Sequence, residues 1–267
     1  MITSRQLAGW AGTDRIPLVR ARLPQLRAKP ITPVNRALRV YVAGDTVGGF
    51  EGNLVENGRA SVAVLPIGES LIVCDRADAP IDRELVRWPD DSSFHLLHSI
   101  PPGTVDTWLD LGCGSAVAPL VRRRAHRIVC SDLNPRALVY AQHGARLSNA
   151  RIETLEGDLA TVPADLITCN APIPSPGTDL WRSTDDTFLT RLLEAARAAL
   201  NPGGTIVIHS SWMPDLPGDA ITITYTPTPP HFGITWWRPH TESRHIRATR
   251  LLTADHPHVH HTDRDLV

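Results

Sequence analysis

The sequence predicts a doubly wound α/β sheet with helices on both faces, and three observations carry that expectation. From residue 105 onward, short apolar runs of strand length alternate with helix-length stretches. Right-handed crossovers turn that alternation into a parallel sheet. The helical stretches carry their own punctuation, with Asn134-Pro135 as a start and Asn201-Pro202-Gly203-Gly204 as a stop. A Gly-rich turn, Gly112-Cys113-Gly114, follows the first of these strands, where such sheets place their ligands.

Taken in order, strands are expected over 105–111, 127–131, 151–155, 165–169, 205–210, 221–226 and 233–237. Helices are expected over 94–100, 116–124, 135–148 and 184–200, the last amphipathic. The strands over 221–226 and 233–237 follow each other without a helix, so they predict an antiparallel edge. Ahead of this alternation the chain differs. Pro17, Pro24, Pro30 and Pro33 limit any helix in the first 35 residues. Residues 36–44 read as a short helix or a strand, and 60–65 and 70–74 as two strands joined by a turn at Gly68. The division follows: residues 1–85 form a small N-terminal accessory domain, and residues 86–267 the main one.

Composition narrows the class. The chain has 267 residues, enough to bury a full core without disulfides or a structural metal. Apolar residues at 42% and charged residues at 21% exclude disordered and collagen-like chains. No apolar run reaches the roughly 18 residues of a membrane span, and no basic-then-apolar leader opens the sequence, so the expected setting is the cytoplasm without membrane contact. A net charge of −1 gives no bulk attraction to nucleic acid. Lys29 stands alone among 27 cationic residues, a bias that fits a GC-rich coding sequence. Cys74, Cys113, Cys130 and Cys169 show no zinc spacing and read as reduced, mostly buried thiols. No metal is expected; the histidines at 256, 258, 260 and 261 read as an exposed tail.

Four consecutive strands end in groups suited to one ligand. Asp110-Leu111-Gly112-Cys113-Gly114-Ser115-Ala116 closes the first, and its glycines allow a sharp turn and close backbone approach. Dinucleotide-binding loops look similar, but their third Gly is here Ala116. Asp132 ends the second strand, eighteen residues after Gly114, where a carboxylate can accept hydrogen bonds from ribose hydroxyls. Gly157-Asp158-Leu159 follows the third strand, in reach of an adenine amino group. Asn170-Ala171-Pro172-Ile173 ends the fourth on a polar amide and a rigid turn.

With these residues in place, the chain resembles the class I S-adenosylmethionine-dependent methyltransferases. The 110–116 loop looks like their first motif, Ser131-Asp132-Leu133-Asn134-Pro135 like the second, and Gly157-Asp158 like the third. Asn170-Ala171-Pro172-Ile173 is similar to the Asn-Pro-Pro-Tyr/Phe motif of the HemK/PrmC-type and "small domain" members. Pro89-Asp90-Asp91-Ser92-Ser93 resembles their segment leading into the first strand. The resemblance spans about residues 85–240. It implies a Rossmann-like sheet of seven strands with the seventh antiparallel, and S-adenosyl-L-methionine as cofactor. It further implies that Asp110, Gly112, Gly114, Asp132, Leu133, Asp158, Leu159 and Asn170 contact that cofactor. Asn170 would also hold the acceptor nitrogen, with Pro172 fixing the turn.

Two departures bear on the acceptor. Ala171 replaces the usual Pro, and Ile173 replaces the aromatic ring that stacks on planar acceptors. The expected reaction is therefore N-methylation of an amine or amide on a small molecule or peptide, ahead of nucleic acid. O- or C-methylation of a small metabolite, methylation of a release-factor glutamine, and a non-catalytic cofactor-binding module are the rival readings. Trp181 and Trp212, just past the fourth and fifth strands, join Ile173 as substrate-pocket candidates. His209 reads as core or pocket. Trp236-Trp237 is expected to split between core and surface, and Arg122-Arg123-Arg124 to form a solvated helix end. Oligomeric state is not encoded in any of these features.

Overall fold

The computed structural model describes residues 55–56, 59–60, 62–67, 69–75, 82–87, 89, 91–172, 187–224, 232–242 and 244–249. In chain order, β1 (Val55–Glu56) pairs with β2 (Arg59–Ala60), and β3 (Val62–Ile67) with β4 (Ser70–Asp75). Then follow α1 (Asp91–His98), β5 (Val105–Leu111), α2 (Val117–Arg122), β6 (Ala125–Asp132), α3 (Pro135–Leu147), β7 (Glu153–Glu156) and β8 (Ala164–Asn170). The chain continues with α4 (Phe188–Ala199), β9 (Leu200–Ser210), β10 (Asp219–Thr224), β11 (Gly233–Arg238) and β12 (Arg244–Thr249).

The main sheet has the order β12-β10-β11-β9-β8-β5-β6-β7. Strands β7, β6, β5, β8 and β9 run parallel, and β11 is antiparallel to both β9 and β10. The expected α/β sheet is present, with one correction at its end. The antiparallel strand lies inside the sheet rather than on its edge, because β10 sits beyond β11 and an eighth strand, β12, pairs parallel to β10. The Asn201-Pro202-Gly203-Gly204 stop ends α4 but falls inside β9, where the pairing to β8 shifts register between Ala164 and Leu166. Gly204 fits there because a Cβ would lie 2.7 Å from the Asp165 carbonyl oxygen.

Strand alternation sorts the core into two layers. Trp108, Ile128, Cys130, Leu166, Val207 and Ile234 face one side, where they pack with Phe94 and Leu97 of α1, Leu120 of α2 and Leu138 of α3. Leu109, Val129, Ile167, Ile206 and Ile208 face the other, against Leu192, Leu193 and Ala196 of α4. Trp237 is buried on the α4 side, while Trp236 is only partly buried and donates to the Ser99 carbonyl at 2.7 Å. All four cysteines are free thiols and buried. Among the described residues, no helix is long and apolar enough to cross a membrane.

The β3–β4 hairpin seats on α3. Gly144 makes the close approach feasible, since a Cβ there would already be 3.1 Å from the Leu71 carbonyl oxygen. Ser70 Oγ donates to the Leu120 carbonyl, and the Leu71 amide to Ser148 Oγ. Ile67 and Ile72 enter the same cluster as Trp108. Buried Asp75 accepts from Tyr140 Oη at 2.7 Å and from the Val86 amide at 2.7 Å, with Arg136 3.3 Å away. Tyr140→Phe is expected to lower stability by about 1.5–3 kcal/mol, the scale of a hydrogen bond to a charged group, read from urea unfolding.

The arginine run is solvated only in part, with Arg123 exposed and Arg122 and Arg124 half-buried, and its guanidinium groups are engaged. Arg122 donates to the Leu97 carbonyl, Arg123 to the Leu120 and Ser148 carbonyls, and Arg124 to that of Pro101. These guanidinium groups satisfy carbonyls that the short α2 and its neighbouring turns leave open.

Candidate functional site

Asp110, Asp132 and Asn170 stand on one face of the sheet, at the carboxyl ends of three adjacent parallel strands. Parity places them there: Asp110 follows Trp108 by two residues, Asp132 follows Cys130 by two, and Asn170 follows Leu166 by four. Strand β5 lies between β6 and β8, where the crossover direction reverses. That reversal opens the crevice in which doubly wound sheets bind ligands.

The turn after β5 is shaped by positive φ. Gly112 has φ +61°, Gly114 +51° and Ala116 +54°. A Cβ added at Gly112 or Gly114 would meet nothing within 4 Å, so the bare backbone borders open space. Ala116 adopts the left-handed conformation that a third glycine would take at lower strain. It is fully buried, and its amide donates to the Cys113 carbonyl at 2.8 Å.

Asp132 braces this turn. Its carboxylate accepts from the Gly114 amide at 2.8 Å and from the Asn134 amide at 2.8 Å, while its carbonyl accepts from Gly157 at 3.1 Å. Asn134 in turn caps α3 by accepting from the Arg136 amide, and its Nδ2 donates to the Glu84 carbonyl at 2.7 Å. Burial raises the Asp132 pKa, and the backbone donors partly offset that rise.

Asp110 is 5% exposed and accepts a hydrogen bond from Thr168 Oγ1, its cross-strand neighbour. Thr168 itself accepts from Trp108 Nε1 at 2.8 Å. The relay leaves the second Asp110 oxygen as the group free of Thr168. Burial pushes the Asp110 carboxyl up to about 7; the Thr168 donor acts against that, and the Asp132 charge adds to it. Cys113 and Cys169 share this environment, and their thiols are held above the usual range, Cys113 chiefly by Cys130 beside it and Cys169 by burial. A carboxyl whose folded pKa lies above its unfolded value, about 4, binds its proton more tightly in the fold. Stability is then expected to fall as pH rises from about 4 to 7 and to level off above, with Asp132 adding in the same direction. Asp110→Asn should flatten that slope in urea midpoints measured from pH 4.5 to 7.5.

Asn170 lies opposite His209 of β9, and its Nδ2 donates to Ser92 Oγ of α1 at 2.8 Å. The Ala171 amide donates to the His209 carbonyl at 2.9 Å, so the turn into Pro172 starts from a fixed point. His209 is buried and stacked on Phe232.

The other predicted residues are placed less uniformly. Leu133, beside Asp132 in sequence, is an apolar side chain 47% exposed. Leu159 has φ +53° and is half-buried against the α4-side cluster. The Asp158 carboxylate is half-exposed and forms an ion pair with Arg191 of α4 at 2.7 Å, which draws it toward the opposite layer. Trp212 is 61% exposed just past β9, where Ser210 Oγ donates to its carbonyl. Ile173, Trp181 and the C-terminal histidines lie outside the described residues. Sequence reading missed Thr168 and Ser92. Thr168 was detectable as a polar side chain of the same parity as Asp110, whereas the Ser92 contact joins residues 78 apart.

Comparison with known proteins adds matches over part of the chain. Residues 87–213 match the model described as "Methyltransferase small domain". The release factor glutamine methyltransferase of Chlamydia trachomatis serovar D is 38% identical over 72 residues, 25% of this chain and 25% of its own. The chain thus aligns with about a quarter of the length of the curated relatives it matches. Among solved structures, a T. thermophilus 16S rRNA N2 G1207 methyltransferase in complex with AdoMet and guanosine gives a TM-score of 0.46 at 20% identity, covering 68% of this chain and 50% of that one. An M. jannaschii tRNA m1G37 methyltransferase gives 0.45 at 12% identity, covering 73% and 60%.

Proposed function

We infer that this chain, whose residues 87–213 carry a methyltransferase small domain, is an S-adenosylmethionine-dependent methyltransferase that acts on an amine or amide nitrogen of a small molecule or peptide. The observation that carries the reading is the convergence of Asp110, Asp132 and Asn170 around a turn whose two glycines border open space.

The donor set fits the cofactor. Gly112 and Gly114 offer bare backbone for close approach, and a Cβ at either would project into space that no protein atom fills. Asp132 retains acceptor capacity for ribose hydroxyls beyond its two backbone donors. The Asp110 oxygen not bonded to Thr168 suits an ammonium group. Leu133 supplies an apolar edge for a purine. Asp158 is proposed as an adenine acceptor through the oxygen that does not face Arg191. When bound, S-adenosylmethionine supplies a methyl group already activated by its sulfonium charge.

What remains for the chain is positioning. Asn170 Oδ1 accepts an N–H of the acceptor, which turns the nitrogen lone pair toward the crevice. As that nitrogen bonds carbon it gains positive charge, and the amide oxygen dipole interacts more strongly with it than with the neutral ground state. The surplus proton leaves to water. An amine bound in its neutral form needs no general base to attack, because its lone pair is then available at the outset.

Ionisation of Asp110 also couples to binding, since an ammonium group favours the carboxylate. Affinity for S-adenosylhomocysteine is therefore expected to rise with pH through about 7. The reading is tested by calorimetry with S-adenosylhomocysteine and with NAD, followed by S-adenosylhomocysteine release from a panel holding amines, a glutamine peptide, guanosine, catechol and single-stranded RNA. Binding without any turnover supports a cofactor-binding module, and turnover of catechol alone supports O-methylation. NAD binding in place of S-adenosylhomocysteine ends the proposal.

A further inference from the structure

We propose that Ser92 is a positioning residue that holds the Asn170 amide with its oxygen presented to the acceptor nitrogen; the inference rests on the nitrogen-methylation reading above. An Asn side chain has two donors on Nδ2 and an acceptor on Oδ1, and its two ends are nearly the same size. Left alone, the amide can turn over. The turned form would aim N–H groups at the acceptor lone pair and oppose the charge that develops during transfer.

The contact from Nδ2 to Ser92 Oγ, 2.8 Å long, breaks that symmetry. It engages one Nδ2 hydrogen on the α1 side and leaves Oδ1 on the other branch of the amide. Among the described residues, no hydrogen bond is formed to Oδ1.

Ser92 can act this way because α1 is held rigidly. Phe94, Leu96 and Leu97 are buried, and the helix packs against β8 and β9. The Leu97 carbonyl accepts from Arg122 Nε at 3.0 Å, and the Ser99 carbonyl just past the helix accepts from Trp236 Nε1 at 2.7 Å. Helix α1 and the end of β8 are therefore fixed to one another through the same core layer that carries Asp110 and Asp132. A serine in the first turn of α1 is tolerated by the helix, where a hydroxyl near the terminus competes little with interior hydrogen bonds. Its place is explained by the strand end it meets.

The test uses the full chain as Ser92→Ala and Ser92→Thr. With 15N-labelled protein, water exchange of the Asn170 side-chain amide should be slowed in the wild type, accelerate in Ser92→Ala, and return toward the wild-type rate in Ser92→Thr. With the nitrogen compound that the acceptor panel selects, Ser92→Ala should lower kcat about tenfold, as expected for one lost orienting hydrogen bond. KM and S-adenosylhomocysteine affinity should change much less. In an Asn170→Ala background, Ser92→Ala should cause no further loss, a non-additivity that a merely structural serine would not show. Unchanged amide exchange in Ser92→Ala overturns the proposal, as does an equal loss of kcat with and without Asn170. If the wild type fails to bind S-adenosylhomocysteine, the methyltransferase reading fails instead, and the exchange measurement still decides the Ser92 contact.

Discussion

Replacing Asn170 by alanine is expected to lower kcat/KM about 100-fold, the scale of losing one positioning contact at the reacting atom. The loss should fall mainly on kcat, because the amide oxygen gains interaction as the acceptor nitrogen becomes cationic. Affinity for S-adenosylhomocysteine should change far less, since the Asn170 amide is engaged toward Ser92 on α1. Asn170→Asp separates the acceptor role from a turn role. It keeps an oxygen for the acceptor N–H, so it should retain more activity than Asn170→Ala. If Asn170 served only to shape the turn into Pro172, alanine and aspartate would lose similar amounts or nothing. Normal turnover by Asn170→Ala sinks the mechanism.

The parallel half of the sheet was legible because its inner strands β5, β6, β8 and β9 carry buried apolar runs, broken by helices with their own caps. Asn134 shows the quality of that signal: it was expected as the cap of the following helix, and it accepts from the Arg136 amide there. Strand β12 was not legible. Its segment Arg244-His245-Ile246-Arg247-Ala248-Thr249 offers only Ile246 and Ala248 as apolar positions, and it joins the sheet through its backbone register with β10. Arg244, Ile246 and Arg247 are all exposed, and an edge strand so placed needs little hydrophobic pattern, so sequence periodicity gives no warning of it. The antiparallel strand was expected on the edge for a different reason: chain order does not reveal that β11 inserts between β9 and β10.

The site divides in the same way. Asp110, Gly112, Gly114, Asp132 and Asn170 were singled out because each was expected at or just past the end of a strand, and the structure places them there. Their partners come from elsewhere in the chain. Thr168 reaches Asp110 across the β5–β8 register, Ser92 reaches Asn170 from the preceding helix, and Arg191 reaches Asp158 from α4. The accessory stretch shows the same limit. The two-strand reading near 60–75 describes β3 and β4 well, but not their attachment to α3 through Asp75, Tyr140 and Gly144. Residues 1–85 remain proposed as an accessory region. Because Ile67 and Ile72 share a cluster with Trp108, point changes test its role more cleanly than a truncation that would uncover that cluster.

Asp132→Ala is expected to weaken S-adenosylhomocysteine binding by about 1.5–3 kcal/mol, the range for hydrogen bonds to a charged group, or roughly tenfold to a hundredfold in Kd. Two losses combine in that figure. The ribose hydroxyls lose their charged acceptor, and the Gly114 and Asn134 amides, each 2.8 Å from the carboxylate, lose the brace that ties the glycine turn to the start of α3. The two are separable. Loss of the brace alone lowers the stability of the ligand-free protein and weakens every ligand that touches the turn, methionine-like ligands included. Loss of the ribose contact shows only with ligands that carry the diol. Calorimetry at pH 8, above the value of about 7 to which burial pushes Asp110, should therefore show a larger penalty for S-adenosylhomocysteine than for its 2′,3′-dideoxy analogue. Equal penalties for the two would assign Asp132 to the turn alone, and unchanged affinity in a folded variant would remove it from the site.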